Sequence, residues 1–498
     1  MLELVRSVVW KVIKFAALMA ATAAVTLLAA RAYGALQGPP LRPWHTFVPT
    51  EMDVDTLRAA NWASYLQAEN DIFQSIQREV VARLEPEDRA PANRYFDGSP
   101  LYSARFARDW NRSFILTPQG EPVGAAVLLH GLTDSPYSVR HIAERYSARG
   151  FVAVAIRLPG HGTVPGGLTD VTWEAWLAAT QLAVREAVLR GGVGKPLHII
   201  GYSNGGALAL KYALDALDDP ALDAPDRIML MSPMIGVTGY ARFAELAALP
   251  AYFPAFVKAS WLDVLPEFNP FKYNSFPVNA AHQSYRLTTA VHTGIEAALA
   301  EGKLGSLPPI ITFQSAVDHT VSARAVVKAF YDKLPANGSE LVLFDINRTE
   351  NLDLLVASSA ETALSSLLGT PPRSYRVSVI SNAGTDGEVA ERVTEPGSTS
   401  EKVRPLGLRF PPGVFSLSHI ALPFPPDDPL YGSRKPVGSK PEFGINLGAA
   451  ALRGETGVLV VTLDTVMRLS YDPFFSYLME RIEETIATGS LEAERLRP

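Results

Sequence analysis

From about residue 112, short uninterrupted apolar runs alternate with longer segments whose apolar residues recur every three or four positions. The runs RSFILTP, GAAVLLHG, FVAVAIRLPGHG, LHIIGYS and RIMLMSP predict strands, and SPYSVRHIAERYSARG, TWEAWLAATQLAVREAVLRGG and NGGALALKYALDAL between them predict helices. Strands of Val, Ile and Leu without polar alternation are those covered on both faces. The pattern therefore predicts an α/β protein with a mostly parallel central sheet flanked by helices. PPIITFQSAVDHT, SELVLFDIN and SYRVSVIS resume the strand rhythm after residue 305, and DPFFSYLMERIEETIATG predicts a closing amphipathic helix.

Two interruptions stand out. Residues 236–305 contain no good strand but many large rings, among them Tyr240, Phe243, Phe253, Phe256, Trp261, Phe268, Phe271 and Tyr273, interleaved with prolines. They are expected to form a helical cap whose rings line an apolar pocket, or else a merely structural insert. Residues 382–405, NAGTDGEVAERVTEPGSTSEKVRP, are polar and predict a mobile surface loop. The organisation expected is an N-terminal segment (1–35), a Pro-rich spacer and helical extension (36–105), the first part of the core (106–235), the aromatic cap (236–305) and the second part of the core (306–498).

The N-terminus carries a pattern of its own. Phe15 to Ala30 is an uncharged run preceded by Arg6, Lys11 and Lys14 and followed by Arg31. It reads as an export signal or a membrane anchor, with the basic flank inward and the domain on the outer, periplasmic or extracellular side. Cleavage at the Ala30–Ala32 stretch and retention as an anchor both fit, and a soluble N-terminal helix is the third alternative.

Composition removes several classes of function. The 498 residues carry a net charge of -6 with no run of five like charges, which argues against a nucleic-acid partner. Without any cysteine, thiolate catalysis, disulfides and Cys-type zinc sites are excluded. No cluster of metal ligands is evident either, and neither metal nor cofactor is expected.

Chemistry concentrates in GYSNG, Gly201 to Gly205, where a buried strand ends and a helix starts. A GxSxG elbow in that context forces its serine into a strained backbone, and side chains at Gly201 or Gly205 would collide with the tight turn. Three further features point the same way. LLHGLTDSP follows an earlier strand, and the amides of Leu132 and Asn204 are the expected oxyanion donors, with His130 structural. Asp318 lies just past a late strand, where a carboxylate reaches a histidine across the sheet top; Asp345 and Asp353 are its substitutes. His419, in FSLSHIALPF, is the histidine that follows this acid in a loop-like segment, while His319 is too close to Asp318 in sequence. The order Ser203, Asp318, His419 is that of α/β-hydrolases.

LLHGLTDSPYSVRHIAERYSARGF, RLPGHGTVPGGLTDVTWEAWL, IIGYSNGGALAL and SAVDHTVS resemble the blocks of bacterial monoacylglycerol lipases and related carboxylesterases, over about residues 112–335. The resemblance implies an α/β-hydrolase fold with Ser203 as nucleophile, Asp318 and His419 as its partners, and Leu132 and Asn204 as oxyanion donors. It also implies a small-molecule or lipid ester as substrate, with membrane contact left to the N-terminal segment. The chain departs from that family in two ways. Acid and base lie much farther apart in sequence, and the SGH-like base motif of that family is replaced by SLSHIALPF; the segment after His419, besides, has no counterpart. A peptidase, thioesterase or acyltransferase with the same triad, or an inactive hydrolase-fold binding module, remain the alternatives.

Overall fold

The computed structural model describes residues 2–236, 248–348, 356–384, 387–434, 441–449 and 467–495. In chain order its strands are β1 (Phe114–Leu116), β2 (Gly124–Leu129), β3 (Phe151–Ala155), β4 (Leu197–Tyr202), β5 (Arg227–Met231), β6 (Trp261–Asp263), β7 (Phe276–Pro277), β8 (Ile310–Ser315), β9 (Glu340–Phe344), β10 (Arg376–Asn382), β11 (Glu388–Thr394) and β12 (Glu401–Arg409). Ten of them form one sheet in the order β1-β3-β2-β4-β5-β8-β9-β10-β11-β12, and β6 and β7 pair separately. The strands from β3 to β10 run parallel; β1, β11 and β12 are antiparallel additions at the two edges. This is the α/β architecture, a mostly parallel sheet flanked by helices, expected from the strand and helix rhythm.

Apolar residues on both faces of each central strand explain the layering. Along β2, Ala125, Val127 and Leu129 pack into one core with the helices Trp173–Gly191 and Asn204–Asp215, while Ala126 and Leu128 pack into a second core with Arg140–Ala148. The second core also receives Tyr477, Leu478 and Ile482 from the closing helix Phe475–Arg495. Period-two alternation thus feeds two helical layers from one strand.

Residues 382–405 differ from the expected loop. They supply β11 and much of β12, an antiparallel pair at the sheet edge. The polar composition misled because only one face of this pair is covered: Val389 is buried in the second core, whereas most of β12 is exposed. The charges pair across the strands instead of lying free. Glu391 faces Arg404 in register and bonds it at 2.9 Å, and Arg392 meets Glu401 at 3.2 Å. Charges, Pro405 and a bulge between Glu388 and Ala390 mark this edge.

Residues 236–305 also differ in part. The segment contains the short pair β6 and β7 where no good strand was expected, and its largest element is the helix Val278–Ala300. Leu287, Val291 and Ile295 of that helix share the first core with Leu210 and Leu214, so this stretch is a layer of the main body. Phe253 is exposed, whereas Trp261, Phe268, Phe271 and Tyr273 are buried. Tyr240 and Phe243 lie outside the described residues.

The Pro-rich stretch is no free tether. Trp44 and His45 are buried, with Trp44 stacked on Tyr95 and His45 edge-on to Trp261. Helix Trp62–Glu79 delivers Tyr65 into the first core and Glu69 onto Arg157, which also pairs with Glu51 at 2.7 Å. Before it, helix Leu2–Gln37 presents an exposed apolar surface, and the span Val5–Gln37 is long and apolar enough to cross a membrane. Its end is docked: Arg31 donates to the carbonyls of Ala259 and Trp261, and Lys258 to that of Gly38 at 2.7 Å.

Candidate active site

The GYSNG stretch is the junction between β4 and helix Asn204–Asp215. Ser203 is held at φ 53°, ψ -112°, a conformation unfavourable for a residue with a side chain. Hydrogen bonds over-determine it. Its N–H donates to Met231 at 2.9 Å, and its carbonyl accepts from Met234 at 2.9 Å and Gly206 at 3.0 Å. The flanking glycines are required by contact. A Cβ on Gly201 would stand 2.4 Å from the carbonyl oxygen of Gly205, and one on Gly205 2.1 Å from that of Leu129. The helix start is thereby pressed against the end of β2.

That close approach joins two loops. Gly131, after β2, lies so near that an added Cβ would be 3.0 Å from the Tyr202 ring and 3.4 Å from the Cβ of Ser203. Leu132 follows it, and Thr133 bends the chain with φ 62°. Asn204 opens its helix, so its amide belongs to the first turn, whose N–H groups have no intrahelical acceptor. His130 is a clamp: Nε2 accepts from the amide of Leu158 at 3.0 Å while Nδ1–H donates to the Gly131 carbonyl at 2.9 Å. Burial holds its imidazole neutral, well below the ordinary histidine range.

The expected acid and base meet the serine. Nδ1–H of His419 donates to Oδ2 of Asp318 at 2.9 Å, because a carboxylate can only accept, and Nε2 then accepts from the Ser203 hydroxyl at 3.1 Å. Ser203 is only 7% exposed and the His419 ring is buried. Asp318 sits just beyond β8, in a turn whose Thr320 and Val321 amides donate to its Oδ1 at 2.8 and 3.1 Å. Burial opposes its charged form, but the bond from His419, its charge and these amides outweigh that, leaving the carboxyl below the usual range. Of the substitutes, Asp345 is bound to Arg348 at 3.0 and 3.2 Å instead, and Asp353 lies outside the described residues. His319 is exposed.

Several supporting residues escaped sequence reasoning. Gln314 donates to Oδ2 of Asp318 at 2.9 Å; one signal was a lone amide near the end of the buried strand IITFQS. Tyr202 donates to the His419 carbonyl at 3.4 Å and packs its ring 5.4 Å from the imidazole. Ser418 donates to the Leu469 carbonyl. Beyond them, Asp428 is buried and ties the segment after His419 to Tyr137 and the start of helix Arg140–Ala148. It accepts from Arg140 at 2.6 Å, His141 at 2.9 Å and Tyr137 at 3.0 Å. Nothing in PFPPDDPLYG distinguishes Asp428 from its exposed-looking neighbour Asp427. Among the described residues no group of three or more His, Asp or Glu is placed to hold a metal.

Residues 120–346 match the family model described as serine aminopeptidase, S33. The thermostable monoacylglycerol lipase of Bacillus sp. (strain H-257) is 34% identical over 92 residues, 18% of this chain and 35% of that protein. The chain thus spans about a third of that curated relative's length. Among solved structures, one of the metagenome-derived lipolytic enzymes LipS and LipT is 20% identical, with a TM-score of 0.38, covering 52% of this chain and 97% of that one. A soluble variant of monoglyceride lipase from Saccharomyces cerevisiae is 16% identical, with a TM-score of 0.36, over 46% and 81%.

Proposed function

Taking as premise that this chain has the α/β-hydrolase fold, we propose that it is a serine hydrolase cleaving carboxylic esters with an apolar acyl chain. The observation that carries this reading is the unbroken line of hydrogen bonds from Ser203 through His419 to Asp318, at 3.1 and 2.9 Å. As the Ser203 oxygen attacks the ester carbonyl, Nε2 of His419 takes its proton and the Asp318 carboxylate stabilises the imidazolium. The carbonyl oxygen becomes an oxyanion that the amides of Leu132 and Asn204 receive, and the first turn of helix Asn204–Asp215 favours negative charge there. His419 then protonates the departing alcohol. Water, deprotonated by the same ring, releases the acid and restores the serine. The family and the lipase relative described above support an acyl substrate.

The N-terminal helix supports a membrane-bound enzyme. Retention as an anchor fits better than cleavage near Ala32, because cleavage would discard Arg31 and its bonds to Ala259 and Trp261. The basic flank favours a domain facing away from the cytoplasm.

A fluorophosphonate probe and p-nitrophenyl esters of graded acyl length test the chemistry. Labelling and turnover in the wild type, both lost in Ser203→Ala with an unchanged thermal transition, are the expected result; equal labelling of the variant would remove Ser203 from the reaction. The match to a family described as serine aminopeptidase favours a second reading, cleavage of an N-terminal aminoacyl amide. Aminoacyl p-nitroanilides turned over in preference to all esters would establish it.

A further inference from the structure

We propose that the pocket between Asp134, Lys272 and Arg468 recognises an anionic group, carboxylate or phosphate, on the ester that Ser203 attacks. This rests on the hydrolytic reading above and narrows its substrate class. The pocket, of about 280 Å3, is walled in part by residues within one or two positions of the reacting groups: Tyr202 precedes Ser203, Ile420 follows His419, and Asp134 lies two residues beyond Leu132. It opens at the carboxyl ends of the parallel strands, where α/β folds place their ligands. Phe268, Phe424 and Tyr431, with Ile420 and Leu447, belong to its apolar wall.

Its charges are out of balance. Two cations face one carboxylate, and burial pushes that carboxylate, Asp134, up to about 6, against the opposing charge of Lys272. Among the described residues the Lys272 ammonium forms no hydrogen bond or ion pair; it lies within electrostatic reach of Asp134 and Arg468, and burial lowers its pKa. A half-buried ammonium beside a second cation is stabilised by added negative charge, which a ligand anion supplies. Arg468 is already oriented. It donates to Oγ1 of Thr320 at 2.9 Å, and the amide of Thr320 holds Asp318 at 2.8 Å, so the cation is tied to the loop that carries the acid. Lys272 is fixed from the other side, since Arg94 bonds its carbonyl at 3.3 Å and the amide of Tyr273 bonds Thr133 at 2.8 Å. An anion entering between them replaces water with two charge-assisted donors on a rigid frame.

The test compares kcat/KM within two pairs of esters matched except for the anion: neutral methyl butyrate against the methyl hemiester of succinate, and neutral monobutyrin against butyryl glycerol phosphate. At least one anionic ester is expected to exceed its neutral partner about tenfold, and Lys272→Met and Arg468→Gln each to lower that ratio about tenfold. The ratio is internal to each protein, so partial loss of folding in one variant does not imitate the effect, and Arg468 is exposed enough for its variant to fold. The carboxylate and phosphate arms show which anion is read. A wild type that prefers the neutral ester in both pairs, or ratios unmoved in both variants, overturns the proposal. Calorimetric titration of Ser203→Ala protein with the same esters separates the two readings. If no ester is turned over, the hydrolytic reading alone fails; anion-selective binding lost in Lys272→Met then sustains the pocket, and binding indifferent to charge refutes it.

Discussion

Nε2 of His419 and Oγ of Ser203 stand 3.1 Å apart although 216 residues separate them along the chain. The contact joins the middle of the sheet to one of its edges. Ser203 projects from the centre, while His419 returns after the edge strand β12 on a segment tied back by Tyr202, Ser418 and Asp428.

Replacing Asp318 by asparagine tests that chain of bonds. The amide cannot hold Nδ1 as an obligate acceptor, so the wrong tautomer faces Ser203. A fall in kcat of roughly 10³ to 10⁴ with little change in KM is expected on short esters. A change confined to KM would assign Asp318 to binding instead.

Gly205→Ala places a methyl group 2.1 Å from the Leu129 carbonyl oxygen, a backbone atom that cannot swing aside. The helix start must then move away from the end of β2, separating Asn204 from Leu132. Fluorophosphonate labelling should slow by about a hundredfold or more, as when an oxyanion donor is lost. Normal labelling with unchanged stability would show that the two loops are not held in the arrangement described.

Asp428→Asn leaves the buried guanidinium of Arg140 without its counter-charge. About 3 to 5 kcal/mol of stability should disappear, measured by urea unfolding at neutral pH. Burial opposes the charge of Asp428, but Arg140 and His141 outweigh it, so its folded-state pKa is depressed. A depressed carboxylate contributes stability above its unfolded pKa and loses it as pH falls through the folded value. The gap between wild type and variant should therefore persist at pH 5 and shrink only in strongly acid solution.

Asp472 behaves in the opposite sense. Burial pushes it up to about 8, with one bond from the Phe474 amide opposing. The folded state keeps a proton that the unfolded chain releases near pH 4, so stability falls as pH rises between about 4 and 8. Asp472→Asn should flatten this decline in thermal melts from pH 5 to 8; an unchanged slope would place its cause elsewhere.

Membrane attachment has its own check. The full chain should remain with membranes through a carbonate wash, and a form lacking residues 2–30, which keeps Arg31 and its bonds to Ala259 and Trp261, should become soluble with ester turnover retained. Recovery of the full chain in the soluble fraction would refute the anchor.

Strand and helix periods in residues 112–235 made the parallel core legible, because strands covered on both faces must be apolar throughout. The elbow was legible too, since its glycines answer steric demands made within a few residues. Edge strands β11 and β12 were not. A strand with one wet face and paired charges has the composition of a loop, and only the partner across the ladder distinguishes them.

By itself, then, the amino-acid order determined the covered sheet, the strained serine and the apolar N-terminal span, all of which follow from local sterics and burial. Tertiary structure alone decided that His419 and Asp318 are within bonding distance of each other, that Gln314 and Asp428 brace them, and that Lys272 and Arg468 face one pocket. Those are relations between residues tens to hundreds of positions apart, and no periodicity encodes a meeting that depends on how the whole chain returns upon its sheet.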